Sequence, residues 1–132
     1  MTMIYLFDTN HASLLWRGHP KLITKITSAG IDNFVLCMPS VAELWFMVYN
    51  SLRIAENEQK LRTFLEDFDV LTLDDDAAAE FGKIKAELRK LGRPVPDIDA
   101  QIAAIARSSG LKLLTADKHF NAMQGLSFEN WL

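Results

Sequence analysis

Ile4, Tyr5, Leu6 and Phe7 form an apolar run that stops at Asp8, Thr9 and Asn10, and no other stretch restricts the possible folds so strongly. β-forming residues without polar interruption predict a strand buried on both faces, not the half-wet strand of an antiparallel sheet. Such a strand needs helices above and below it. The carboxylate that ends it then sits at the rim of the core. In an open parallel α/β sheet that rim, at the carboxyl ends of the strands, is where ligands bind.

The rest of the chain supplies the helices and the further strands. Asn10 is read as the cap of a short helix to about Arg17, broken by Gly18, His19 and Pro20. Pro20 suits the first turn of a second helix, from Lys21 to Ala29. Gly30, Asp32 and Asn33 turn the chain into a strand predicted from Phe34 to Met38, in which Cys37 is a small core residue. Ser40 to Leu52 is the most legible helix, with Val41, Leu44, Trp45, Val48 and Leu52 on one face. Phe46 and Tyr49 on its flank are extra apolar surface, either covered by neighbouring elements or facing a second subunit or a partner. A helix from about Glu56 to Phe68 and a strand from Val70 to Leu73 follow. Asp74, Asp75 and Asp76 read as the cap and charged first turn of the next helix, not as a metal site. That helix runs to Leu91 with Phe81, Ile84, Leu88 and Leu91 inward, and Gly92 beyond its end. Asp97 or Asp99 opens an Ile- and Ala-rich helix that Gly110 ends. Leu111 to Thr115 and Leu126 to Phe128 are the last predicted strands. The expected fold is α/β, a mainly parallel central sheet of four to five strands with helices on both faces, in one domain over 1–132.

At 132 residues such a domain buries about two-thirds of its unfolded surface. The formal net charge of −3 argues against binding driven by bulk attraction to phosphate, although bound divalent cations can make nucleic acid acceptable as a substrate. Cys37 is the only cysteine, which fits a reducing compartment and excludes an internal disulfide. The N-terminus lacks a basic leader, and no apolar run approaches the roughly 20 residues of a membrane span, so a cytoplasmic location is expected.

Four acids fall just beyond strands or at helix starts: Asp8, Glu43, Asp99 and Asp117. Each also has a structural reading. Asp8 and Asp117 could cap the turns after them, Glu43 has capping-box spacing from Ser40, and Asp99 could complement its helix dipole. Doubly wound topology would nevertheless carry all four to one edge of the sheet. Carboxylates crowded there repel unless a cation neutralises them. All-oxygen ligation suits Mg²⁺ or Mn²⁺, which can polarise a phosphodiester and lower the pKa of a bound water. No zinc-type Cys/His set is present, and His11, His19 and His119 are scattered. A Gly-rich phosphate loop and a Gly-x-Ser-x-Gly elbow are both lacking.

These residues resemble the PIN-domain ribonucleases, specifically the VapC-type toxins of toxin–antitoxin pairs. The resemblance covers essentially the whole chain. It rests on Leu6-Phe7-Asp8-Thr9-Asn10, Pro39-Ser40 with Glu43-Leu44, and Asp99 followed by Ile102-Ala103-Ala104. Leu114-Thr115-Ala116-Asp117 with Phe120, and a closing Trp131, complete it. The resemblance implies that Asp8, Glu43, Asp99 and Asp117 hold Mg²⁺ or Mn²⁺ in an endoribonuclease site. It also implies supporting roles for Thr115 and Asn10, with Asp97 as the N-cap of the helix carrying Asp99. An RNA substrate, a homodimer and a cognate antitoxin are the expected partners, with no membrane. Lys83, Lys85, Arg89 or Arg93 would lend phosphate contacts, and changing Asp8 or Asp99 to alanine should abolish cleavage with the fold intact. Two rivals remain: a phosphohydrolase with Asp8 as covalent nucleophile, and a PIN-like domain that binds RNA or a partner without cutting it.

Overall fold

A computed structural model describes residues 4–132; residues 1–3, on which the leader argument partly rests, lie outside them. Among the described residues the sheet has five strands, β1 (Tyr5–Phe7), β2 (Phe34–Cys37), β3 (Val70–Leu71), β4 (Lys112–Leu114) and β5 (Phe128–Glu129). Their order is β3-β2-β1-β4-β5 and every pairing is parallel. Six α-helices cover it: α1 (Thr9–Trp16), α2 (Pro20–Ala29), α3 (Met38–Tyr49), α4 (Ile54–Leu65), α5 (Asp75–Lys90) and α6 (Asp97–Ser109).

The two-residue period of a strand sends alternate side chains to opposite faces, and both faces here are dry. Leu6, Val35, Cys37 and Leu113 enter a core with Ile84 and Leu88 of α5 and Ile102 and Ile105 of α6. Phe7, Phe34, Leu36 and Leu114 enter a second core with residues of α1, α2, α3 and α4. Ala100, Ala103, Ala104 and Ala106 are all fully buried, so the small residues of α6 allow its backbone to approach its neighbours closely. The predicted α/β sandwich is therefore observed.

Several boundaries differ from the sequence reading. Asp8, not Asn10, caps α1, because its carboxylate accepts the His11 N–H at 2.7 Å. The third helix begins at Met38, with Pro39 in its first turn, and ends at Tyr49. Leu52 lies beyond it and is fully exposed, not part of the buried stripe. The strand predicted to Leu73 stops at Leu71, and the last strand, expected from Leu126 to Phe128, starts two residues later and ends one later. Edge strands of two residues leave little unpaired backbone for another chain to join.

The end of α5 shows why Leu91 is exposed. Gly92, at φ +66°, turns the chain, and the Arg93 and Gly92 amides bond back to the carbonyls of Leu88 and Arg89 at 2.9 and 3.1 Å. This is a Schellman closure, and it places Leu91 at the C-cap, outside the inward stripe. At the other end Asp74 accepts the Ala77 N–H at 2.9 Å, as the acidic run predicts. Asp74→Ala is expected to lose about 1 kcal/mol of stability, measured by urea unfolding at neutral pH. A loss no larger than that of Asp76→Ala would show that the cap contributes nothing specific.

Candidate active site

The strand order reverses between β1 and β4, the two neighbours that lead to opposite halves of the sheet. The Asp8 amide bonds to the Leu114 carbonyl at 3.0 Å, which ties the two strand ends together. A cleft of about 420 Å³ opens there, lined by Asp8, Thr9, Asn10, Glu43, Met47, Asp99, Ile102, Ala116 and Asp117. All four sequence-selected acids thus border one cavity, although they come from four separate stretches of chain.

Asp8 is almost fully buried, and its Oδ1 accepts the backbone N–H of His11. Capping and a role in the cleft do not compete, since a carboxylate has a second oxygen. Glu43 projects from α3 and accepts a hydrogen bond from Thr9 Oγ1. Thr9 Oγ1 lies 3.2 Å from Ser40 Oγ, which in turn lies 3.4 Å from Cys37 Sγ. Burial pushes the Cys37 thiol up, so it stays protonated and can start this chain as a donor. The capping-box reading of Ser40 and Glu43 is corrected: Cys37 occupies the N-cap, and Glu43 reaches Thr9 instead.

Asp117 caps the short 3₁₀ turn Lys118–Ala122 by accepting the His119 N–H at 2.9 Å. Its own N–H donates to the Oγ1 of the buried Thr115 at 3.0 Å. His119 Nδ1 sits 2.9 Å from Asp99 Oδ2 and 3.2 Å from Asp117 Oδ1. The hydrogen bond to Asp99 and the charge of Asp117 hold the His119 imidazole above its ordinary pKa. Burial raises the Asp99 carboxyl, Asp117 and Asp8 add to the rise, and His119 opposes it. This crowding of charge is what a cation would relieve.

One ligand atom each from Asp99, Asp117 and His119 lies within 4.8 Å of the others. This tight set pairs two of the four acids with a histidine that looked unrelated in sequence; Asp8 and Glu43 border the cleft outside it. Spacing offered one clue: Asp117 as cap necessarily brings the residue two positions on close to its carboxylate. Asn10 also lines the cleft. Asp97 does not. It is not the N-cap, a position held by Pro96, and its carboxylate pairs with Lys85 Nζ at 2.6 Å.

The family profile described as PIN domain matches residues 5–126. A ribonuclease VapC2 of Haemophilus influenzae is 32% identical over 129 residues, covering 97% of this chain and 98% of that protein. A tRNA(fMet)-specific endonuclease VapC of Shigella flexneri is 30% identical over 128 residues, covering 96% of this chain and 97% of its own. Among solved structures, DNA-bound VapBC from Salmonella typhimurium superposes with a TM-score of 0.92 at 27% identity, over 98% of this chain and 99% of that one.

Proposed function

The chain belongs to the PIN-domain family, and from that premise we propose that it is a Mg²⁺- or Mn²⁺-dependent endoribonuclease, the toxin of a toxin–antitoxin pair. The observation that carries this reading is the single cleft bordered by Asp8, Glu43, Asp99 and Asp117 at the switch point of the sheet. The donor set fits a hard divalent ion, being rich in carboxylate oxygen, with the Asp99 carboxyl raised chiefly by burial and further by the charges of Asp117 and Asp8.

Asp8, Asp99 and Asp117 would hold the ion, with Glu43 completing the set. When bound, such an ion supplies charge to the phosphodiester oxygens and acidifies a water for in-line attack. Thr115 fixes the loop that presents Asp117, and Thr9 fixes the Glu43 carboxylate. Asn10 lies at the cleft wall, where its amide can bond to a phosphate or to water. Lys85, held by Asp97, and Arg89 line a separate groove of about 590 Å³, where their cations would meet RNA phosphates. Lys83, 3.7 Å from Glu80, and Arg93 do not line that groove and are the weaker candidates for such contacts.

The partners in this reading are RNA, a second copy of the chain and a cognate antitoxin, the last supported by neighbours of the VapBC family of toxin–antitoxin systems. Phe46 and Tyr49, 68% and 55% exposed on α3, are the surface offered to one of these protein partners. Among the described residues no helix is long and apolar enough to cross a membrane. The test is cleavage of single-stranded RNA by the purified chain in Mn²⁺ and in EDTA. Cleavage is expected only with the ion, and Asp8→Asn, which preserves the cap of α1, should not cleave. Equal cleavage in EDTA, or by the variant, would remove the proposal.

A further inference from the structure

We propose that His11 is a positioning residue for Asp8: its ring, with its tautomer set by the C-terminal segment, holds one carboxylate oxygen so that the other is left for the cation site. The inference rests on the divalent-ion reading above.

His11 is wholly buried in the first turn of α1. A buried imidazole needs a partner at each nitrogen. Nε2 lies 3.3 Å from the backbone nitrogen of Trp131, and Nδ1 lies 3.1 Å from Asp8 Oδ1. A backbone N–H can only donate, so Nε2 carries the lone pair. The ring proton is therefore on Nδ1, and Nδ1 donates to Asp8. Asp8 Oδ1 then receives two donors, the ring and the His11 backbone N–H. Oδ2 takes no hydrogen bond among the described residues and is the oxygen left for the cleft.

Helix capping alone does not account for this ring, because the cap is complete with the backbone N–H. Nor is the Trp131 end loose. Its indole packs 4.8 Å from Tyr5 and 5.5 Å from Phe34, and Lys25 Nζ reaches its carbonyl at 3.4 Å. The last residues of the chain thus reach the first acid of the site through one imidazole.

The two ring contacts can be separated by substitution. His11→Asn keeps a donor near the Nδ1 position and loses the acceptor for Trp131. His11→Gln keeps an acceptor further out and lacks a donor beside Asp8, and His11→Leu loses both. Mn²⁺ affinity is measured by calorimetry for the wild type and each variant, with melting in EDTA alongside. His11→Asn should bind Mn²⁺ as the wild type does, whereas His11→Gln and His11→Leu should bind about 10- to 100-fold more weakly. Melting temperature should fall most for His11→Asn and His11→Leu, which strand the Trp131 N–H. If the leucine variant does not fold, the asparagine and glutamine pair carries the comparison. Long-range ¹H–¹⁵N spectra of the wild type should show a ring protonated at Nδ1 that responds to Mg²⁺.

Affinity that follows melting temperature instead of the Nδ1 donor would overturn the inference, as would a ring protonated at Nε2. A wild type that binds Mn²⁺ no better than any variant does the same while leaving the nuclease reading intact. A wild type that binds no divalent ion removes the nuclease reading itself, and this inference with it.

Discussion

Asp99→Asn is expected to yield a folded protein that cuts RNA at least about 100-fold more slowly, because a direct ligand should matter more than the outer partners whose loss costs 10- to 100-fold. In EDTA the variant should be no less stable than the wild type. The sign follows from the direction of the Asp99 shift, which is upward, chiefly from burial and then from Asp117 and Asp8. A carboxyl raised on folding adds stability below its unfolded pKa, and this is lost as pH rises through the folded value. At neutral pH the ionised Asp99 is therefore a cost that asparagine removes, while its amide can still meet His119. Saturating Mn²⁺ should reverse the order. At 100 times the dissociation constant it stabilises the wild type by about 2.7 kcal/mol, and much less in a variant that binds weakly. Scanning calorimetry with and without the ion reads both effects. Wild-type cleavage, or a marked loss of stability in EDTA, would contradict the role given to this residue.

Phe7→Ala should cost about 3–5 kcal/mol, a large part of the 5–15 kcal/mol that holds a typical domain together. Phe7 is fully buried, stacked on Phe34 at 5.4 Å and met edge-on by Phe68 at 5.7 Å. Truncation leaves a cavity between the sheet and the helices on that face, and β1 is the central strand on which both halves depend. Phe7→Leu, which fills most of the space, should lose much less. Urea unfolding of both variants is the measurement. Similar losses would mean that the site collapses around the smaller residue. Because Asp8 directly follows, activity of Phe7→Leu at wild-type level would further separate packing from chemistry.

Alanine is a poor probe at Asp8 for a reason visible only in three dimensions. That carboxylate caps α1 and satisfies the buried His11, so Asp8→Ala would confound catalysis with folding. The expectation that alanine at this position leaves the fold untouched is accordingly replaced by the asparagine design. Asp99, third in its helix, caps nothing, and its side-chain partner is the half-exposed His119 ring.

Local chemistry determined much of this protein in advance. The apolar run of Tyr5 to Phe7 required helices on two faces, the Ala-rich stretch of α6 required close packing, and Asp74 and Gly92 marked the ends of α5. Acids placed just beyond strands foretold an acidic edge, since direction along a parallel strand sets which end a residue occupies. Local signals also misplaced what depends on competition. Asp8 outcompeted Asn10 as a cap because its carboxylate reached the His11 amide, and Asp97 was drawn to Lys85 of α5.

Tertiary structure alone decided which atoms meet. Residues 11 and 131 are 120 positions apart, and residues 99 and 119 are 20 apart, yet each pair is in hydrogen-bond contact. No periodicity carries that information. It arises when strand order sets β1 beside β4, and the close packing of both faces then fixes how the strand ends meet at the rim.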